Sequence, residues 1–148
     1  MFHPDFAVKI FTAGYAQWRD QQSLFKMVLK MKALLVDVRL HPVSRYRPEW
    51  TKQELKQTFT KYIHLKDYGN ESFGTDKPAK LLNPVRASDE LLNWTHKGER
   101  NFLFLCACAN HKLCHRSLAA DHFQEALTKS NYSSSIHHLK PGGQETLF

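Results

Sequence analysis

The chain has 148 residues, 42% hydrophobic and 24% charged, with a formal net charge of +7 and a pI near 9.4. Those proportions fit one globular domain with a core of its own. No apolar run approaches the ~20 residues that span a bilayer, and the start, MFHPDFAVKIF, lacks the basic-then-apolar pattern of a secretory signal, so a cytoplasmic protein with no membrane partner is expected.

Ala7 to Thr12, AVKIFT, is β-rich and ends at Gly14. RDQQSLFKMVLKMK carries Leu24, Val28 and Met31 at helical spacing. ALLVDV, Ala33 to Val38, is a continuous apolar run, the signature of a strand buried on both faces. TKQELKQTFTKY opens with Thr51 and Glu54 in capping-box spacing, which predicts a helix. Tyr62 to Lys66 is a short strand. The glycines and prolines from Asp67 to Pro84 argue against a regular element, so a mobile cover is expected there. ASDELLNWTHKG reads as a helix capped by Ser88 and ended by Gly98. NFLFLCA is the most apolar strand. HRSLAADHFQEALTK is a helix with Leu118, His122 and Leu127 near one side, and SSSIHHL is the last strand.

This alternation predicts a mostly parallel sheet of about five strands with helices on both faces, a Rossmann-like three-layer sandwich. Residues 1–140 form the single α/β domain and 141–148 a flexible tail.

Parallel sheets bind ligands at the carboxyl ends of their strands. The chemistry collects there. AGY follows the first strand, DVRLHPVSRYRPEW the second, KDYG the third and a cysteine-rich stretch the fourth, while the connections into the strands are plain: MK, K and GER. A shared cleft is expected. Arg39, Arg45, Arg47 and Arg116 are its candidate anion ligands, because a guanidinium grips phosphate through a planar fork. Tyr15, Tyr46, Trp50 and Tyr68 are candidates for stacking on a base. The basic balance favours an anionic partner, nucleic acid or a nucleotide first. Asp37, at a strand end, is either catalytic or a scaffold for loop amides.

LCACANHKLCHR, Leu105 to Arg116, holds all three cysteines. An odd count with two cysteines one residue apart is a poor disulfide framework, so reduced thiols are expected. Zinc would take Cys106, Cys108, His111 and Cys114, although Cys106 and Cys108 are expected on opposite faces of their strand. A redox C-x-x-C pair is absent. A phosphatase loop fails on spacing, since Lys112 and Cys114 stand where arginine is needed. A cleft wall remains, with Cys114 and His115 at a helix start that favours a thiolate or a bound anion.

FTAGY, LLVDVRLHPVSR, IHLKDYG and LFLCACANHKLCHR leading into SLAADHF give the chain a specific resemblance to the bacterial and archaeal family catalogued as domain of unknown function 488. The family's recurring residues fall on Gly14, Tyr15, Asp37, Arg39, Pro42, Ser44, His64, Leu65, Gly69, Cys106, Cys114, His115 and Arg116. Many relatives carry an acidic residue where Cys108 stands. The resemblance implies an α/β domain and a shared site, and no particular reaction.

The expectation drawn from all this is an enzyme acting on a nucleotide or nucleic acid. Asp37, Cys114 and His115 would be catalytic. Gly14, Tyr15, Arg39, Ser44, Arg45, His64 and Arg116 would hold the substrate. The rivals are a non-catalytic nucleic-acid-binding module and a zinc-binding structural or regulatory domain. The tail, QETLF, fits Q-x-x-L-F, which resembles the motif that docks replication and repair proteins on the DNA sliding clamp. Gln144 would reach a pocket rim while Leu147 and Phe148 fill it, placing the protein in DNA repair or replication.

Overall fold

The structure is a computed structural model and describes residues 7–108 and 114–141. Five strands form one sheet: β1 (Ala7–Gly14), β2 (Leu34–Asp37), β3 (Tyr62–His64), β4 (Asn101–Cys106) and β5 (Ser133–His138). Their order is β3-β2-β4-β1-β5, every pair is parallel, and helices lie on both faces, giving a three-layer α/β fold.

The strands alternate their side chains between two cores. Phe11, Leu35, Leu103 and Leu105 meet α1 (Gln21–Met31) and α2 (Lys52–Thr58) through Leu24, Val28, Met31 and Leu55. Ile10, Leu34, Val36, Phe102 and Phe104 meet α3 (Pro84–His96) and α4 (His115–Lys129) through Leu91, Ala119, Phe123 and Leu127. Coverage on both sides explains the unbroken apolar runs of β2 and β4.

Several boundaries move for local reasons. Helix α3 begins at Pro84, not at Ser88. Asn83 caps it, accepting a hydrogen bond from the Arg86 amide, and proline fits the first helical position because its missing N–H is not needed there. Ser88 is instead buried and hydrogen-bonded to the Tyr68 hydroxyl at 2.6 Å. The Thr51–Glu54 box does not form, because the Thr51 hydroxyl donates to the Pro48 carbonyl. On α4 the buried stripe is Arg116, Ala119, Ala120, Phe123 and Leu127; Leu118 and His122 face outward.

The two ends of the segment expected as a mobile cover are bonded to each other, and its middle is exposed. The Asn83 amide bonds the Asp67 carbonyl, the Leu82 amide bonds Gly69, Asn70 bridges to Leu81, and Arg86 grips Asp67 at 2.7 Å. No helix of the described residues is long and apolar enough to cross a membrane. His111, Gln144, Leu147 and Phe148, singled out from the sequence, lie outside the described residues.

Candidate functional site

β4 is flanked by β2 and β1, and the helices that follow those two strands lie on the face opposite the helix that follows β4. The chain therefore parts on either side of the β4 terminus. This is the topological switch point where open α/β sheets leave room for a ligand. Gly14, Tyr15, Asp37, Arg39, His64, Cys114, His115 and Arg116 all come to this end of the sheet. A recess of about 320 Å³ lined by Phe25, Val28, Leu29, Ala33 and Phe59 opens at the other end, away from them.

On the α1/α2 side, Asp37 is fully buried and fully engaged. Arg39 donates to it from Nε at 2.8 Å and Nη2 at 2.7 Å, and the Tyr62 hydroxyl donates at 2.6 Å. Burial works against the Arg39 charge, but the bonds to Asp37 outweigh it, so its pKa rises and the cation is kept. The Arg39 guanidinium lies 5.4 Å from the centre of the Tyr15 ring, which in turn stacks on Trp50. Arg39 is only 5% exposed, and its Nη1 has no hydrogen-bond partner.

Arg47 is spent on the carbonyls of Tyr15, Trp18 and Arg19. Ser44 and Arg45 stay outside this cluster, on the loop after β2. There Arg45 lies 6.0 Å from the Tyr46 ring, and Tyr46 is 87% exposed. Tyr15, Trp50 and Tyr68 are buried, so Tyr46 is the aromatic of the four whose face is open.

On the α3/α4 side, Cys106 and Cys108 point the same way, with sulfurs 3.8 Å apart. They were expected on opposite faces; alternate residues of a strand share a face. His115, the first residue of α4, donates from Nε2 to the Val38 carbonyl at 2.7 Å. A carbonyl only accepts, so this bond fixes Nε2 as protonated and turns Nδ1 toward Cys106 Sγ at 3.7 Å and Cys114 Sγ at 3.9 Å.

The thiols from Cys106 and Cys108 aim at Cys114 and hold its pKa well below the ordinary thiol value, with His115 helping against burial. The other two pay for that. A bond from Cys108 acts to lower Cys106, but its bond to Cys114, burial and the charge on Cys114 push it up to about 12. Cys108 is raised by its bonds to Cys106 and Cys114 and by burial. Burial acts to lower His115, and the Cys114 sulfur overrides it, so His115 is raised.

Arg116 is 1% exposed, and its Nη1 donates to the Cys108 carbonyl at 2.7 Å and its Nε to Thr12 Oγ1 at 3.3 Å. Thr12 Oγ1 lies 2.7 Å from His138 Nδ1. With Arg116 donating to it, the single hydroxyl proton is free for that nitrogen. His64 Nε2 donates to the Arg39 carbonyl at 2.7 Å.

Tyr62, Thr12 and His138 were missed from sequence. Tyr62 sits at the start of its strand and reaches Asp37 by the length of its side chain. Thr12 and His138 meet because β5 lies beside β1, which no local pattern announces.

Burial and the charge of Asp37 raise the Tyr62 pKa, and burial raises that of Tyr68. An acid whose pKa rises on folding stabilises the fold below its unfolded pKa, ~10 for tyrosine, and that contribution is lost as pH climbs past it. Phenolate absorbance of the five tyrosines should therefore rise in two stages, the second coinciding with loss of circular dichroism. One smooth rise completed before unfolding would contradict the buried phenols.

The chain matches the family described as Domain of unknown function DUF488 over residues 29–123, and it belongs to that family. The matched span runs from within α1 to within α4 and so includes both sides of the site except Gly14, Tyr15, Thr12 and His138. No curated protein and no solved structure matches the chain.

Proposed function

We propose that the carboxyl ends of the strands bind the phosphate of a nucleotide or nucleic acid, with Arg39 as the anion ligand. One observation carries this reading: Arg39 Nη1 is buried without a partner, while the rest of its fork is fixed on Asp37. A buried donor left unpaired is costly, the more so on a charged group. An anion oxygen satisfies it through a short, charge-assisted bond. Arg45 and the open face of Tyr46, on the loop leading from Arg39, supply a second cation and a surface for base stacking. The net charge of +7 draws such ligands from a distance.

Binding, rather than acid–base work by Asp37, is the role favoured. That carboxylate has no solvent contact, and it is bonded to Arg39 and Tyr62.

The test is fluorescence anisotropy with a labelled single-stranded oligonucleotide, competed by nucleoside phosphates across a salt series. Arg39→Lys keeps a cation against Asp37 and removes the free edge. It should weaken binding roughly 10- to 100-fold, the worth of one charged hydrogen bond. Arg45→Ala with Tyr46→Ala, both exposed, should weaken it without touching the fold. Affinity should fall as salt rises. A folded Arg39→Lys protein that binds as the wild type does, or binding indifferent to salt, would overturn the reading.

A further inference from the structure

We propose that Cys106, Cys114 and His115, with Cys108 as the fourth corner, hold one zinc-class divalent cation in a tetrahedral site of three sulfurs and one nitrogen. This set differs from the zinc set suggested by sequence spacing, in that the histidine is His115 and it binds through Nδ1. The site is separate from the Arg39 edge and does not depend on what binds there.

The donor spacing is the first argument. Zinc binds sulfur at ~2.3 Å and imidazole nitrogen at ~2.0–2.1 Å. A tetrahedron of those radii has sulfur–sulfur edges of about 3.8 Å and sulfur–nitrogen edges of about 3.6 Å. The protein presents Cys106 Sγ and Cys108 Sγ 3.8 Å apart, Cys106 Sγ and His115 Nδ1 3.7 Å apart, and Cys114 Sγ and His115 Nδ1 3.9 Å apart. The ligand atoms of Cys106, Cys114 and His115 all lie within 4.8 Å of one another. Cys108 is partly exposed, lies two residues past the end of β4, and has its sulfur 3.8 Å from Cys106 Sγ, so it is the thiol nearest to hand for the remaining corner.

The second argument is the support around the ligands. Histidines that bind metal usually donate their other ring N–H to a carbonyl or carboxylate, which fixes the tautomer and the ring plane. His115 does this with the Val38 carbonyl at 2.7 Å. Arg116 pins the Cys108 carbonyl at 2.7 Å, holding the second segment in place. Cys106 ends β4 and His115 opens α4, while Cys108 lies two residues past that strand and Cys114 is the cap of that helix.

Three soft sulfurs and an imidazole select zinc, or cobalt as its probe, over magnesium or calcium, which want oxygen. Binding releases the thiol protons and leaves a cation among the thiolates, which resolves the crowding of three thiols in a buried corner.

The test uses the full chain, purified reduced and stripped with a chelator, then titrated with zinc or cobalt. One ion per chain is expected. The cobalt form should show the visible bands of a tetrahedral ion and a sulfur-to-cobalt charge-transfer band. Cys108→Ser replaces a partly exposed side chain, so it folds, and it should lose part of the charge-transfer intensity. His115→Gln should keep the sulfur band and shift the visible bands. Outer-shell changes alone cost roughly 10- to 100-fold in metal affinity, and loss of either ligand should cost at least that.

The eight other histidines offer weak alternatives, so the variants decide the location. Stoichiometric binding unaffected by Cys108→Ser and His115→Gln would overturn the proposal. So would a wild-type chain that gives no charge-transfer band with cobalt and whose three thiols react freely in the presence of zinc. Loss of oligonucleotide binding in Arg39→Lys with the cobalt spectrum intact would leave this site standing and place the anion at Arg39, apart from the metal.

Discussion

Asp37→Ala is expected to lower stability by about 3–5 kcal/mol, the cost of stranding one partner of a buried ion pair. Set against the ~5–15 kcal/mol that holds a domain together, the loss leaves a fold that melts in mild urea. The reason lies in the surroundings. Arg39 is 5% exposed, and Asp37 supplies both of the acceptors that compensate its charge. The same change also takes the acceptor from the Tyr62 hydroxyl. Urea unfolding gives the number directly.

A paired replacement sharpens the point. Asp37→Leu together with Arg39→Met removes both charges and fills the space with apolar atoms. Buried pairs replaced in this way often cost nothing. The double variant should therefore be well above Asp37→Ala in stability while failing to bind an anion. If Asp37→Ala costs under ~1 kcal/mol, the value of an exposed pair, the pair is not the buried anchor described here.

Gly14→Ala comes second, at about 3 kcal/mol, the upper end for overpacking. Gly14 has φ −106°, which alanine adopts freely, so backbone freedom is not the issue. Close approach is. A Cβ there would stand 1.4 Å from the Cys108 carbonyl oxygen and 2.8 Å from Arg116 Nη1. The carbonyl is backbone and is held by Arg116, so it yields only if the Arg116–Thr12 arrangement is broken. For a domain of this size each kcal/mol lowers Tm by roughly 2–4 °C, so a drop of roughly 6–12 °C is expected. A variant melting within about 2 °C of wild type would show that the β4 terminus shifts at little cost.

The sheet and its chemical end were legible in the sequence because each rests on a strong local signal. Ala33 to Val36 and Phe102 to Cys106 are unbroken apolar runs, and the polar and aromatic residues gather after the strands rather than before them. What escaped depends on tertiary neighbours. Asn83-Pro84 reads as a loop until Asn83 is seen capping a helix. Thr51 is a fair cap by type, but its hydroxyl found the Pro48 carbonyl first. Tyr15 and Trp50 read as open aromatics and prove to be stacked on each other in the core. His115 is brought beside the sulfurs by where α4 begins, whereas spacing alone had put His111 in the metal set.

The strand order bears on how the chain reaches its native state. β1 and β2 are the first strands made, yet they do not touch. Lys9 pairs with Asn101 and Leu34 with Phe102, so both wait for β4 to slide between them. Of the ladders, only β2 with β3, Leu35 against Tyr62, joins near neighbours in the chain. Contacts this distant carry a large loop-closure cost before they return any stability, and topologies rich in them fold slowly. A nascent chain released before Cys106 has emerged holds two separate strand fragments with bare edges, the condition that invites aggregation. β4 is thus the keystone in time as well as in space, and the candidate site, anchored at its terminus, cannot form before β4 is in place.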